Sequence, residues 1–313
     1  MPVANALGTL SPTVVTRSTI QFLKKQFPAL FSISTDFSDS AVLLNQNVVT
    51  RVVTPPPVHD FVAPNAGGTG YQAVDAATTT DITVAITKHK FASLSFSDTE
   101  VASTDRDLTG EQKQALAYSL GRQAMFDLCA LITPTNFANQ YAILAAANAS
   151  KNTVVQLRKV LMKIGADFVN PFGLINADVF GALSEDPTVT SKITYGSVDP
   201  QVKGGPGSIT GLGGFETITE YPELNPANGL LGYFGGKEGL LMAARVPQIP
   251  NIQVPGIITN VQDEDSGLTL QWREWYDMNG QHNITLTWMY GMATGVTGHA
   301  ALLLLDAVHG NPS

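Results

Sequence analysis

The first half of the chain contains two segments that have the hydrophobic pattern of strands. Residues 48–53 are rich in β-branched side chains, and residues 82–87 alternate between apolar and polar ones. We expect the two segments to pair as a hairpin. The residues that join them, 54–81, include three consecutive prolines and contain no Lys, Arg or Glu. Structureless connections of this length are uncommon in compact domains and are usually functional or disordered.

The middle of the chain has the spacing of helices. Apolar residues recur every three or four positions over residues 110–133 and again over 153–164. Pro134 follows the first segment and Gly165 the second, and both residue types end helices. At 1.5 Å per residue the first helix would be roughly 33 Å long, which suits the central helix of a domain.

An α/β unit is expected next, followed by a long loop. Residues 168–175 have the apolar composition of a buried strand, and Asn176 is a favourable N-cap for a short helix that reaches Leu183. Residues 185–214 are rich in Gly and Pro, which predicts a surface loop.

The C-terminal pattern predicts a hairpin with one buried face. Apolar residues alternate over 268–272 and over 284–290, and a turn sequence occupies 277–280. Residues 300–305 are uniformly apolar. They should form a central strand or lie beneath the long helix.

The first 46 residues give a weaker pattern. Small polar residues are mixed with scattered apolar ones, and only residues 20–27 suggest a short helix, which Pro28 would stop. We therefore expect an arm that packs on another surface.

Composition limits the classes of function. Of 313 residues, 44% are hydrophobic and only 14% charged, so the chain should fold around a core. A net charge of −8 argues against a protein that reads nucleic-acid sequence, which would need clustered cations. No signal-peptide pattern opens the sequence, and no apolar run is long enough to span a bilayer. We expect a soluble protein made in the cytoplasm.

Sequence motifs for catalysis fail on inspection. A phosphate loop before Gly236 and Lys237 would need Gly where Leu231 stands, and a dinucleotide fingerprint would need Gly at Glu216. The histidines show no short-range metal-ligand spacing. The single cysteine, Cys129, falls in the helical apolar pattern and is expected to be a core residue rather than a nucleophile.

Residues 263–265 resemble the start of a calcium loop, but Gly267 and Leu268 stand where an oxygen ligand and a glycine are required. We expect an acidic, solvated turn there. No catalytic, cofactor or metal site is predicted, and the chain is not expected to be an enzyme. A hydrolase assembled from distant residues is the catalytic alternative.

The order of these elements resembles the Johnson fold, the coat-protein fold of tailed bacteriophages first seen in the Hong Kong phage shell. Residues 168–176, 207–216 and 240–245 are similar to segments of its axial domain, and the hairpin over 268–290 to its return strands. The resemblance implies an α+β fold with five parts. They are an N-terminal arm (1–46), an extended β-hairpin called the E-loop (47–98), a peripheral domain with a long spine helix (99–150), an axial α/β domain (151–261) and a return to the peripheral domain (262–313).

The function implied by the resemblance is that of a major capsid protein. Such a protein assembles with copies of itself, as hexamers and pentamers, into the icosahedral shell that encloses double-stranded DNA, which the wall contacts without sequence preference. A separate scaffolding protein and a portal are implied partners, and a decoration protein is compatible with this architecture. No cofactor or membrane is implied. The chain would be made in the host cytoplasm and reside in the virion. An encapsulin-like nanocompartment shell and a phage tail or adhesin protein are alternatives.

The uncharged loop is the expected contact between subunits. Interfaces are depleted of charged side chains and enriched in aromatic ones, which makes Phe61 and Tyr71 the candidate contact residues. Some shells of this family join a loop lysine to an asparagine of a neighbour. No lysine lies between Arg51 and Lys88, so no such covalent bond is expected here.

Overall fold

The computed structural model describes residues 12–42, 44–53, 61, 79–97, 99–100, 108–163, 171–190, 202–203, 207–221, 224, 229–249 and 256–305. Its helices are α1 (Pro12–Gln26), α2 (Ala29–Ser32), α3 (Leu108–Cys129), α4 (Lys151–Lys163), α5 (Ala177–Glu185) and α6 (Pro187–Thr190).

The described strands form two large sheets and a separate hairpin. In chain order they are β1 (Ser34–Val42), β2 (Asn47–Val53), β3 (Thr79–Ala85), β4 (Lys88–Ser97), β5 (Gln140–Ile143), β6 (Phe172–Ile175), β7 (Val202–Lys203), β8 (Ser208–Thr210), β9 (Thr217–Glu220), β10 (Leu230–Gly235), β11 (Leu240–Pro247), β12 (Ile257–Gln262), β13 (Thr269–Tyr276), β14 (Gln281–Thr294) and β15 (Ala300–Leu305). The hairpin pairs β2 with β3 and places Val48 opposite Val84, which confirms the predicted pairing.

The first sheet is built on the long strand β14. One edge of β14 pairs with β13 over its first half and with β11 over its second half. The opposite edge pairs with β4. Strand β12 extends the sheet beyond β13, and β1 adds in parallel beyond β11. The predicted C-terminal hairpin is thereby confirmed, with its turn closed by hydrogen bonds of Asp277.

The second sheet has the order β5-β15-β10-β6-β9-β8-β7, with the uniformly apolar strand β15 inside it. Leu302 and Leu304 of β15 join the core beneath α3, whereas Ala301 and Leu303 join the core beneath α4 and α5. Because successive side chains of a strand point to opposite faces, a strand covered on both sides must be apolar at every position. The prediction of a central strand at 300–305 is confirmed.

Helix α3 is the spine of the fold and lies against both sheets. Leu116, Leu120 and Leu128 are at most 4% exposed, in a core shared with Trp272 and Trp288 of the first sheet. The helix ends at Cys129, four residues before the expected end at 133. Ala130 N still donates to the carbonyl oxygen four residues earlier, but Leu131 N and Ile132 N donate to carbonyl oxygens only three residues earlier. The α-helix therefore ends in a tighter turn before the chain reaches Pro134.

The α/β unit follows the sequence prediction closely. Helix α4 and strand β6 fall inside or beside their expected ranges, and Asn176 Oδ1 accepts a hydrogen bond of 3.0 Å from Val179 N at the start of α5. The predicted surface loop over 185–214 is wrong in part. Residues 208–210 form β8, and Ile209 is fully buried. Residues 191–201 and 204–206 lie outside the described part of the chain.

The expectation that residues 1–46 form an arm packed elsewhere is wrong from Pro12 onward. Helix α1 packs on α3 with Ile20 and Leu23 fully buried, and β1 is a strand of the first sheet. The pattern was weak because α1 also buries Thr16 and Thr19, whose polar side chains interrupt the apolar repeat.

An ion pair fixes α1 to the turn between β12 and β13. Lys24 Nζ lies 2.7 Å from Asp263 Oδ2, and the Ser266 hydroxyl and backbone N–H also donate to Asp263. Burial of Asp263 opposes its ionisation, but these hydrogen bonds outweigh it and hold the pKa of Asp263 below its ordinary value. The hydrogen bond to Asp263 in turn raises the pKa of Lys24.

The two sheets do not divide the chain at the expected boundaries. Strands β11 and β12 fall in the range expected for the axial domain but belong to the first sheet, and β15 belongs to the second. The chain passes from the first sheet to the second between β4 and β5, with α3 in between. It changes sheet again between β10 and β11, through a turn at Lys237–Gly239, and between β14 and β15, through a turn at Thr297–His299; these last two connections are called the crossovers. Strand β4, placed with the E-loop, pairs with β14 instead.

The two crossovers run side by side and are hydrogen-bonded to each other. Gly236 N donates to His299 O at 3.2 Å, Gly295 N to Gly239 O at 3.0 Å, and Val296 N to Glu238 O at 2.9 Å. The backbones approach so closely that a Cβ at Gly295 would overlap the Glu238 carbonyl oxygen. Each crossover therefore depends on the other.

A methyl group at Gly295 should disturb the paired crossovers. We expect Gly295→Ala to lower the free energy of unfolding by about 1–3 kcal/mol, because the Glu238 backbone must move. Gly298→Ala is the matched control, since a Cβ there meets no heavy atom within 4 Å. Urea denaturation measures the stability of both variants. Equal stability of the two variants would contradict the close packing.

Replacing Asp263 should loosen α1 in a pH-dependent way. We expect Asp263→Asn to cost about 1.5–3 kcal/mol at pH 7, the range for a hydrogen bond to a charged group. The lowered pKa means that the ionised carboxylate stabilises the fold above its ordinary value of 3.8, and that this contribution is lost as the pH falls through the folded-state pKa.

Measuring the free energy of unfolding at pH 7 and at pH 3 distinguishes loss of the ion pair from a change in packing. The difference between wild type and Asp263→Asn should shrink at the lower pH. Asp265→Asn is the control, because that side chain is 90% exposed and should have no measurable effect. A difference that stays constant with pH would show that the charge of Asp263 is not what holds α1.

Candidate interaction surfaces

The described residues contain no cluster that resembles a metal site. No group of three or more His, Cys, Asp or Glu side chains within them is placed to hold an ion. Cys129, the last residue of α3, is 6% exposed, which confirms its predicted place in the core. Of the helices that the structure describes, none has the length and apolar character of a membrane span.

Two networks of charged groups hold elements of the fold together. The prediction of a solvated acidic turn at 263–265 is confirmed for the exposed side chains of Glu264 and Asp265. It is wrong for Asp263, whose carboxylate is largely buried against Lys24. A second network joins three elements, with Lys88 Nζ 2.8 Å from Asp127 Oδ1 and Tyr290 OH donating to Asp127 Oδ2 at 2.6 Å.

In that second network burial opposes ionisation of Asp127, but the hydrogen bonds from Lys88 and Tyr290 outweigh it and lower the pKa of the carboxyl. Burial and Asp127 together raise the pKa of the Tyr290 phenol. These groups bind β4, α3 and β14 to one another.

The β2–β3 hairpin is anchored by its base on the outer face of the first sheet. Val84 and Ile86 are buried against Leu241 and Met289. Strand β14 comes so close to this segment that a Cβ at Gly291 would overlap the Ala85 carbonyl oxygen. The hairpin base is therefore a fixed part of the subunit.

The anchored hairpin also explains a departure from the expected one-sided burial. Every residue from 284 to 291 in β14 is buried. The core beneath α3 covers one face, and on the other face the hairpin base covers Met289 and Gly291. Thr285 and Thr287 occupy the second face, at 8% and 2% exposed, and their polar side chains produced the alternation seen in the sequence.

The structure describes only one of the two predicted contact residues. Phe61 is 56% exposed, which leaves its ring accessible to a neighbouring molecule. Tyr71 and the rest of the loop from 54 to 78 lie outside the described residues. Their contact with another subunit stays a prediction.

Beyond the hairpin base, the same face of the first sheet is open and forms a groove of about 740 Å³. Phe91 and Ile257 are 65% and 53% exposed there, and Arg273 and Trp275 also line it. Partial burial and the nearby charge of Arg273 lower the pKa of His89, so the groove holds a neutral imidazole beside a cation near pH 7. Aromatic residues and arginine are typical of protein interfaces.

Other exposed apolar side chains lie on helices. Tyr118 and Phe126 of α3 are 46% and 56% exposed, and Val155 and Met162 of α4 are 42% and 53% exposed. Sequence reasoning assigned these helices to the core and did not identify the second face of either. The signal was available, because Val155 and Met162 fall outside the apolar stripe of α4.

Comparison with known proteins identifies the fold. No protein-family model matches the chain, and no curated protein matches its sequence. The capsid structure of cyanophage P-SCSP1u matches with a TM-score of 0.56 at 10% identity, over 87% of this chain and 86% of that one. A structure from Mycobacterium phage Bobi matches with a TM-score of 0.52 at 10% identity, over 88% and 89% of the two chains.

A virus-like particle from Pyrococcus furiosus matches over 91% of this chain and 96% of that one, with a TM-score of 0.52 at 8% identity. Similarity across nearly the whole chain at such low identity shows a common fold. The predicted α+β architecture of the Johnson type is confirmed.

Proposed function

We propose that this chain is the major capsid protein of a tailed bacteriophage, and that its copies form hexamers and pentamers of a closed icosahedral shell. The observation that carries the proposal is a fold shared with the capsid structure of cyanophage P-SCSP1u over 87% of this chain and 86% of that one. No part of the proposed role requires catalysis, a cofactor or a metal.

The elements take named roles in this proposal. Hairpin β2–β3 and the loop from 54 to 78 are assigned as the E-loop, and α3 as the spine helix. The first sheet is assigned to the peripheral domain and the second, with α4 and α5, to the axial domain. These assignments follow the observed strand pairing and move β1, β4, β5, β11, β12 and β15 from the ranges first expected.

The composition of the chain suits a container for DNA. A net charge of −8 favours a wall that contacts the polymer without gripping it along its length. A separate scaffolding protein and a portal belong to the proposal as partners, as does a decoration protein if the outer surface carries one. The protein would be made in the host cytoplasm and end in the virion.

An encapsulin-like shell is the second candidate. The match to a virus-like particle from Pyrococcus furiosus shows that the fold also occurs outside phage capsid structures. Both candidates predict closed shells, but their contents differ. A phage capsid encloses DNA behind a portal, whereas a nanocompartment encloses a protein cargo and needs neither. The contents of purified particles therefore distinguish them.

Native mass measurement of particles purified with and without the scaffolding protein tests the proposed function. We expect closed shells of many subunits that contain DNA after packaging. Shells that hold a cargo enzyme and no DNA would favour the nanocompartment. A strictly monomeric protein under all assembly conditions, with its scaffold present, would contradict both.

Shortening the loop tests its predicted role as an intersubunit contact. Replacing residues 54–80 by an Asn-Gly turn should leave a subunit that unfolds cooperatively, because Val84 and Ile86 still anchor the hairpin base. Assembly should be lost, since each subunit forfeits a patch buried on its neighbour. Shells of normal size and stability from this variant would show that the loop is no assembly contact.

Point substitutions refine this test. The double variant Phe61→Ala and Tyr71→Ala should raise the concentration needed for assembly about tenfold or more, the effect of removing interface hot spots. Leu144→Ala is the matched control, because Leu144 is 74% exposed and lies outside the hairpin. The same assembly concentration for both variants would argue against the two aromatic anchors.

A further inference from the structure

Helix α4 presents a basic face to solvent in an otherwise acidic chain. Its 13 residues include Lys151, Arg158, Lys159 and Lys163 and no acidic residue, whereas the whole chain has a net charge of −8. The opposite side of the helix is buried through Val154, Leu157 and Leu161.

Residues 155, 159, 162 and 163 fall on one side of α4 by their spacing of three, four and seven positions. This basic face of α4 is formed by Val155, Lys159, Met162 and Lys163. Among the residues that the structure describes, no ion pair engages either lysine. Arg158 is turned away, with its guanidinium carbon 5.8 Å from the centre of the Phe215 ring. The face thus combines two lysines with two exposed apolar side chains.

A notch of opposite charge lies beside α5. The short turn at Ala146–Asn148 and helix α5 enclose an open notch of about 740 Å³. Small residues line most of it, and a Cβ added at Gly181 would meet no heavy atom within 4 Å. Asp178 and Glu185 are exposed along its rim. This acidic notch has room for the side chains of another helix.

The third acid of the notch is already used by the subunit. Asp186 accepts hydrogen bonds from Lys151 N at 2.9 Å and from Thr188 Oγ1 at 2.7 Å. Burial opposes its ionisation, but these bonds outweigh it and lower the pKa of Asp186. Asp178 and Glu185 take part in no ion pair within the described part of the chain.

The basic face and the acidic notch form no ion pair with each other within the described part of one chain. Ser150, immediately before α4, lines the notch, whereas Lys163 ends the 13-residue helix. At 1.5 Å per residue Lys163 lies roughly 20 Å, and Lys159 roughly 14 Å, along the helix axis from Ser150, beyond the reach of a lysine side chain. A second copy of the chain can bring the two surfaces together.

We propose that the basic face of α4 in one subunit docks in the acidic notch beside α5 of the next subunit. The contact joins two different surfaces, and such a heterologous contact repeats from copy to copy around a ring. Lys159 and Lys163 would lie against Asp178 and Glu185, and Met162 would enter the space above Gly181. This inference rests on the proposed shell function.

A second copy fits the basic face better than DNA does. A phosphate backbone would engage the lysines but would leave Val155 and Met162 exposed to water, because it has no apolar surface to offer. The notch has both the acidic side chains, Asp178 and Glu185, and a small apolar surface of alanines around Gly181. The matched charges and the apolar pair therefore favour a protein partner, and this chain itself carries one of the right chemistry.

Charge reversal with rescue tests the contact. The first variant combines Lys159→Glu with Lys163→Glu. The second combines Glu185→Lys with Asp178→Asn, where Asn is chosen because a cation in the first turn of α5 would oppose the helix dipole. The third carries all four substitutions. Lys25→Glu with Lys237→Glu is the control, since both lysines are exposed and the change in charge equals that of the first variant.

Shell yield by sedimentation and melting temperature of the subunit are measured for every variant. We expect the first and second variants to lose at least tenfold in yield without a change in melting temperature, because like charges then face each other. The four-substitution variant should recover most of the wild-type yield, and the control should assemble normally. Met162→Ser, which leaves the charges in place, should also reduce the yield.

Several outcomes would overturn the inference. Wild-type yields from both reversed variants would show that the surfaces do not meet, and failure of the combined variant to recover would show that they do not meet each other. Normal shells of the first variant that retain less DNA would assign the basic face to DNA instead. In all three cases wild-type shells form and the proposed function stands. If the wild type forms no shells, the proposed function fails as well.

Discussion

The paired crossovers between the two sheets are the constraint on which the rest of the subunit depends. The backbone N–H groups of Gly236, Gly295 and Val296 donate hydrogen bonds from one crossover to the other. The connection from β10 to β11 and the connection from β14 to β15 are therefore held at the same place between the two sheets. Both sheets therefore present a face to α3, and one core forms beneath the helix. The glycines at 235 and 295 are required because a side chain there would overlap the opposite crossover.

A subunit held together in this way can present fixed surfaces to its neighbours. The core is completed within the chain by α1 and β1, so the described residues do not need a partner to bury their apolar side chains. Exposed apolar side chains of the described residues include Phe61 in the loop, Phe91 and Ile257 in the groove, and Val155 and Met162 on the basic face of α4. Tyr118 and Phe126 on the outer side of α3 and Leu144 after β5 are exposed as well. Closed shells require contacts of this kind on several sides of each subunit.

The sequence predicts elements well where local pattern and tertiary burial agree. The repeat of Leu116, Leu120 and Leu128 predicts α3 because that stripe faces the core, and Asn176 predicts the start of α5 because its cap is a local hydrogen bond. Helix α1 was under-predicted because buried threonines break its stripe. The exchange of strands between sheets has no local signature, since the partners of β15 and β11 are decided by the crossovers.

The candidate surfaces show a similar division. The cations and exposed apolar residues of α4 can be found from helical spacing, but the notch is formed by residues 146–150 and 177–187, which only the fold brings together. The groove needs β4, β13 and β14 side by side, and the pairing of β4 was not expected. Phe61 and Tyr71 were selected from composition alone, and their contact with another subunit stays a prediction.

Hydrogen exchange of the free subunit and of the assembled shell tests most directly whether a complete subunit uses these surfaces to meet its neighbours. The account predicts the same slow exchange for β14, β15 and α3 in both states, and new protection on assembly in residues 54–80, around the groove and at the notch. Slow exchange of the two sheets only after assembly would contradict it, because the core would then depend on neighbours. So would an assembled shell in which none of the exposed surfaces gains protection.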